Sequence, residues 1–287
     1  MSAVIEVLES RTTELGGVPV RRALPTRAHR TVGAWCFLDH FGPTDRSSPM
    51  QVGPHPHTGL QTVTWLVSGD VLHRDSLGTE QRIAPGQLNL MSAGRGISHA
   101  EETVEQPATT QLGAQLWVAQ PEATRHGDPA FEHHSELPTW EREGWRGTVL
   151  TGALGSDLSP ARTDSPLVAC ALAADGAART QLPLDPRFEH ALVVVRGSVE
   201  VGSTHVEPGV LVYVGPGHDR LEVAADGGTD AMLVGGEPFP EPVTMSWNFV
   251  GRSREEMVEA HHAWARGDER FGHVVSDLPR IDAPPPL

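Results

Sequence analysis

The sequence predicts an all-β protein built from two antiparallel β-barrels, with one short helix near the C-terminus. Three observations carry this expectation. Glycine and proline are abundant, 30 and 24 of 287 residues, as turn-rich β structure requires. Apolar and polar residues alternate with period two in short runs bounded by turn signals. Landmarks of the first half also recur in the second. Val67-Ser68-Gly69-Asp70-Val71 resembles Val195-Arg196-Gly197-Ser198-Val199, Ala84-Pro85-Gly86 resembles Glu207-Pro208-Gly209, and Gly94-Arg95-Gly96 resembles Gly215-Pro216-Gly217. The expected domains are residues 1–150 and 151–287.

Taken in order, residues 4–24 read as one or two strands, with Val4, Ile5, Val7, Val18 and Val20 apolar. Arg27 to Arg30 is a polar link. Gly33 to Phe41 holds an apolar strand in which Asp39 and His40 are expected to form a hydrogen-bonded structural pair. The Pro- and Gly-rich residues 42–54 read as a loop. Thr62 to Val67 alternates as a strand and ends at the turn signal Ser68-Gly69-Asp70. Pro85-Gly86 and Gly94-Arg95-Gly96 mark further turns around Leu88 and Leu90. Gln111 to Ala119 is another strand. Glu122 to Trp145 is rich in Glu, His and Trp, and His133 and His134 there read as surface or packing residues.

Near the C-terminus, Ser253 with Glu256 three residues later is a capping box. Met257, Ala260, His261 and Trp264 follow at helical spacing, and Gly267 ends the helix. The proline-rich tail from Ala283 to Leu287 is expected to be extended or disordered.

Composition narrows the function classes. A net charge of -15 with no basic run argues against direct nucleic-acid binding, which draws its affinity from Lys and Arg on phosphates. No run of 18 apolar residues exists, so no membrane span is expected. The first residues lack the apolar core of a signal peptide. Cys36 and Cys170 are too few for a disulfide framework. The expected location is cytoplasmic.

The chemistry is concentrated between Gly53 and Glu102. His55 and His57 are spaced i, i+2, as are His99 and Glu101. On a strand, alternate side chains share a face, so each pair can aim two donors at one point. Two such strands side by side would make a metal site of three histidines and one carboxylate. Four N/O ligands without thiolate suit a borderline-hard transition metal with open positions, which favours Fe(2+) while leaving other divalent metals possible. Gln61, Asp39, Asp75 and Gln115 are candidate acceptors for the ligands' second ring nitrogens. Gln61, four residues after His57, is expected on the ligands' face. His73 is placed in the opposite barrel wall or a loop, outside the ligand set.

The His-x-His pair, the Pro-Gly turn and the later histidine resemble the cupin pattern. The longer run His73-Arg74-Asp75-Ser76-Leu77-Gly78, with Pro85-Gly86-Gln87 and Met91 to Glu102, resembles the pirin family of the cupins. So do Val20-Arg21-Arg22, Phe37 to Pro43, Gln115 to Val118 and Glu237-Pro238. The sequence departs from that pattern at Gln61, where cupins usually carry glutamate, at Asn89-Leu90 and at Ala100. The resemblance implies a bicupin, two double-stranded β-helix domains. It implies either a quercetin 2,3-dioxygenase-type oxidoreductase acting on a flavonol with O2, or an iron-dependent regulator that binds a metabolic enzyme or transcription factor. In the first case Glu101 is the catalytic base that takes the flavonol hydroxyl proton.

Transferring ligand positions by equal offsets from the repeated glycines places Pro183, Asp185, Glu222 and Ala224 where His55, His57, His99 and Glu101 stand. The second barrel is therefore expected to bind no such metal, with His205 and His218 as its residual candidates.

Overall fold

Strands form where apolar runs meet turn residues. The protein is described here by a computed structural model covering residues 5–44, 50–103 and 110–286. Val4 lies outside the described residues. Trp35–Phe41 and Leu112–Ala119 are buried at every position, which is why they read as continuous apolar runs instead of alternating ones. The loop expected over 42–54 is shorter, because the strand Val52–His57 already includes its end.

The chain gathers into two units. One comprises Met1–Thr13, Arg21–His40 and His134–Phe239; the other comprises Glu14–Val20, Phe41–His133 and Pro240–Leu287. The division expected at residue 150 falls inside the strand Trp145–Leu154. Each unit instead takes in chain from both halves. The N-terminal strand Ile5–Glu9, for example, pairs antiparallel with Val210–Val214.

The repeat read from the sequence is a repeat of topology. In one unit a four-stranded sheet runs in the order Val52–His57, Ile97–Glu102, Val71–Asp75, Glu80–Ile83. In the other the order is Ala178–Pro183, Arg220–Ala225, Val199–Val201, Thr204–Val206, the same path strand for strand. The larger sheets match as well: Leu88–Ser92, Leu60–Ser68 and Leu112–Ala119 correspond to Val210–Val214, Glu189–Arg196 and Thr229–Gly236. The hydrogen bonding of these sheets is open and does not close into a continuous ring. Gly69 and Gly197 turn the chain at equivalent places with φ of 83° and 76°. A Cβ there would meet Gln111 Cα at 2.9 Å and Thr229 Oγ1 at 2.6 Å, so both backbone and space require glycine.

In the unit containing His134–Phe239, Val168, Cys170, Leu192, Val212 and Leu233 of the large sheet pack with Leu182, Val199, Val206 and Val223 of the small one. In the other unit, Leu66 packs with Val52, Val71 and Ile83 in the same way. Each core therefore lies between two facing sheets.

Asp39 and His40 are not a pair. Neighbours on a strand point to opposite faces. Asp39 accepts from Arg22 Nε at 2.8 Å and Nη2 at 2.7 Å. His40 is 1% exposed with Nε2 unpartnered, and burial pushes its pKa down to about 4.

The helix occupies Arg254–Ala265, with Ser253 accepting from the Glu256 N–H. The Glu256 carboxylate reaches back to the Arg252 N–H at 3.1 Å, one residue beyond the expected partner. The tail is extended and packed: His261 Nδ1 bonds the Pro284 carbonyl at 2.9 Å and Trp264 Nε1 that of Ile281 at 2.8 Å. Among the described residues no helix is long and apolar enough to cross a membrane.

Candidate metal centre

The strands Val52–His57 and Ile97–Glu102 run antiparallel with His55 opposite His99 and His57 opposite Ile97. His55 and His57 share a face by alternation, and the register delivers His99 to the same point. The three rings lie 4.3 to 5.0 Å apart between centroids. One ligand atom from each falls within 4.8 Å of the others, and this is the one such group of three among the described residues. Their exposures of 7%, 1% and 1% put the point inside the protein.

Hydrogen bonds fix which ring nitrogen faces that point. His55 Nδ1 donates to the Gly53 carbonyl at 2.8 Å, and His57 Nδ1 to the Asn248 carbonyl at 3.1 Å. A carbonyl only accepts, so each Nδ1 carries the proton and each Nε2 is a bare lone pair. Burial pushes the His55 pKa down to about 4. Burial, then the charge of neighbouring histidines, holds His57 and His99 well below the ordinary value. All three are neutral near pH 7.

His57 Nε2 and His99 Nε2 lie 3.1 Å apart. That spacing lets the two nitrogens share one transition metal at ~2.1 Å from each. In one tautomer His99 Nε2 donates to the bare His57 Nε2, and in the other both lone pairs are open to a shared cation. The donor set therefore fits a divalent metal.

Glu101 stands apart from the trio. The pairing with Val52–His57 shifts register here, Gly53 and Pro54 facing Ala100 alone, so Glu101 stands opposite Val52; against Val71–Asp75 the register is regular and Glu101 stands opposite His73. Its Oε1 accepts from Thr64 Oγ1 at 3.3 Å, while the same hydroxyl bonds Gln115 Oε1 at the shorter 2.8 Å. Burial raises the Glu101 pKa above its ordinary value, against the opposing pull of His73 and Thr64.

The expected acceptors are distributed differently from the sequence reading. Gln61 donates to Ser92 Oγ at 2.8 Å and does not reach the ligands. His57 and Gln61 belong to different strands separated by Thr58 and Gly59, so counting by twos across that break fails. Asp39 is held by Arg22, and Gln115 by Thr64. His73 was missed. It lies on Val71–Asp75, directly beside Ile97–Glu102, with its Nδ1 3.3 Å from His99 Nδ1 and its Nε2 3.1 Å from Asp75 Oδ2. The signal was present: His73-x-Asp75 has the same i, i+2 spacing as the two ligand pairs.

In the second repeat no ligand group assembles among the described residues. Pro183 and Asp185 line a cavity of about 660 Å³ with Leu167, Phe188 and His190. Glu222 pairs with Arg179 at the surface. His205 is exposed, bonded to Glu200 at 2.6 Å, and His218 is half-buried with its Nε2 unpartnered. His133 bonds Asn89 Oδ1 at 2.8 Å, a packing role as expected.

Fold and site together define a bicupin with a three-histidine metal centre in one of its two repeats. The chain belongs to the pirin family: it matches the pirin model over residues 17–118 and the pirin C-terminal cupin domain over 169–272. A Pseudomonas aeruginosa protein provisionally named a quercetin 2,3-dioxygenase is 46% identical over 286 residues, 98% of this chain and 90% of that protein. A pirin-like protein of Caulobacter vibrioides is 35% identical, covering 91% of this chain and 93% of that one. The crystal structure of a quercetin 2,3-dioxygenase from Acinetobacter baumannii superposes with a TM-score of 0.94 at 41% identity, covering 98% of this chain and 95% of that one. The Escherichia coli pirin YhhW, crystallised in complex with nickel(II), shares the fold at 17% identity with a TM-score of 0.64, covering 82% of this chain and all of that one.

Proposed function

We propose that this protein is a metal-dependent dioxygenase that opens quercetin-type flavonols with O2, with Fe(II) as its metal. The observation that carries this reading is the trio of neutral imidazoles at His55, His57 and His99, set beside a buried carboxyl of raised pKa at Glu101. The names of the relatives and structural neighbour at 46% and 41% identity support the substrate class.

A metal bound by the three histidines supplies Lewis acidity and a template for substrate oxygen. The rest is done by this chain. Burial makes Glu101 a stronger base than a solvated carboxylate, closer to the match that general base catalysis needs near neutral pH. Glu101 takes the proton of the flavonol 3-hydroxyl and later returns it. Flavonol and O2 are consumed, and a depside and carbon monoxide leave, so atoms balance. Thr64, whose hydroxyl favours Gln115, leaves Glu101 loosely held and free to turn toward the substrate or to join the histidines as a fourth ligand.

The test is quercetin loss under air, followed at its long-wavelength absorbance, with protein reconstituted anaerobically with Fe(II) and, in parallel, with Mn, Co and Ni. Metal-dependent bleaching is expected, and Glu101→Ala is expected to slow it by about 10²–10⁴-fold. Full turnover by the variant would remove Glu101 from the role of base. No turnover by loaded wild-type protein would reject the enzyme and favour an iron-dependent regulator acting through a protein partner.

A further inference from the structure

His55 and His57 are held by backbone carbonyls, which can only accept. His99 is different: its Nδ1 faces another imidazole, His73, and either ring could donate to the other. Only one direction leaves His99 Nε2 bare for a metal, so something must set that direction.

Asp75 sets it. The side chain is buried, 3% exposed. Its Oδ1 accepts from the Leu77 N–H at 2.9 Å and the Thr79 N–H at 3.1 Å, and its Oδ2 faces His73 Nε2 at 3.1 Å. An ionised carboxylate has no proton to give, so His73 Nε2 carries the proton. With that one proton on its ring, His73 has Nδ1 bare and accepting. His99 Nδ1 must then donate, which leaves a lone pair on His99 Nε2, the atom that faces His57 Nε2 at 3.1 Å. Phe131 stacks on the His73 ring at 4.5 Å and 25°, holding its plane. The strand register, with His99 opposite Asp75 and Glu101 opposite His73, builds the row.

We propose that Asp75 and His73 are positioning residues that select the metal-binding tautomer of His99, the one ligand whose tautomer the backbone does not dictate. The inference rests on His55, His57 and His99 being the metal ligands, but not on what the metal does there.

Asp75→Asn is the decisive change. The two backbone N–H groups on Oδ1 keep the amide oxygen in that place and turn the NH₂ toward His73. His73 Nε2 must then accept, its Nδ1 must donate, and His99 is left protonated on Nε2. One atom changed at Asp75 thus inverts the row and blocks the ligand, as carboxylate-to-amide changes behind catalytic histidines do by tautomer. His73→Gln is the rescue, because its amide can donate to Asp75 and accept from His99 in the wild-type direction.

The experiment uses full-length protein, labelled with ¹⁵N at histidine and stripped of metal by chelator. Two-bond ¹⁵N–¹H correlations read the tautomers, and chelator competition with Zn(II) reads affinity. The expected result is His99 protonated on Nδ1 and His73 on Nε2 in the wild type. Both should reverse in Asp75→Asn, with Zn(II) affinity falling about 10–100-fold. His73→Gln should keep the His99 tautomer and stay within about threefold in affinity. His99 protonated on Nε2 in the wild type would overturn the proposal. So would an Asp75→Asn protein with unchanged tautomers, or one that loses affinity while His99 keeps its proton on Nδ1, since a merely structural loss gives that result. Neither readout involves quercetin, so a protein with these tautomers and no turnover sinks the dioxygenase reading alone.

Discussion

His40 and His190 are each 1% exposed, and burial holds each at a pKa of about 4. In the unfolded chain the same rings titrate near 6.5. Between those values the unfolded state takes up protons that the folded state refuses. Their contribution to stability is full above pH 6.5 and is lost as pH falls to 4, by up to about 3 kcal/mol each. Asp39 and Glu101, whose carboxyls burial raises, work in the opposite sense, since folding favours their protonation. The test therefore compares slopes. Between pH 6.5 and 4, the urea midpoint of His190→Gln is expected to fall less than that of the wild type; parallel curves would contradict the assigned pKa. The ligand histidines were legible at this scale because i, i+2 spacing needs only the strand to exist. Gln61 was not, because a turn two residues wide resets the alternation. For His73 the spacing to Asp75 was visible but the neighbour was not, because the register of a third strand sets it.

Elements announced themselves where a local rule governs them. Ser253 caps the helix in the expected manner, and Ser253→Ala is expected to cost about 1 kcal/mol, read as a lower melting temperature with metal binding retained. Burial of Met257, Ala260, His261 and Trp264 matches the spacing read from the sequence. The register shift opposite His99 and Glu101 was invisible beforehand. It depends on the pairing of two strands far apart in sequence, and His99-x-Glu101 alone reads as regular alternation. The tail after Ala283 is extended, one of the two states its composition left open, and packing chose between them. Proline-rich composition describes a chain without neighbours, and here the neighbours are His261 and Trp264.

At the scale of the molecule, the duplication was legible because its turns need glycine at equivalent places. The composition of the two units was not, because it depends on where the chain ends return. Pro240–Leu287 belongs with Phe41–His133. Asn248 holds His57, the Phe271 carbonyl accepts from Ser98 Oγ at 2.7 Å, and Ile281 N–H donates to the Pro54 carbonyl at 2.8 Å. A chain ended after Phe239 is expected to lose most of its Zn(II) affinity in the chelator assay, though it keeps His55, His57 and His99. Retained wild-type affinity would show that these contacts are dispensable.

The Asn248 carbonyl has a consequence for how such a gene can be cut and joined. A crossover between the two repeats, the natural seam of a duplicated sequence, would part His57 from the peptide group that orients it. Shuffling halves between relatives would bring together a strand and a strap that had not diverged in company. The last fifty or so codons travel with the first half or the metal centre is inherited incomplete. The segment that transfers as a working part is thus discontinuous in the gene, and the seam visible in the repeat is the wrong place to divide it.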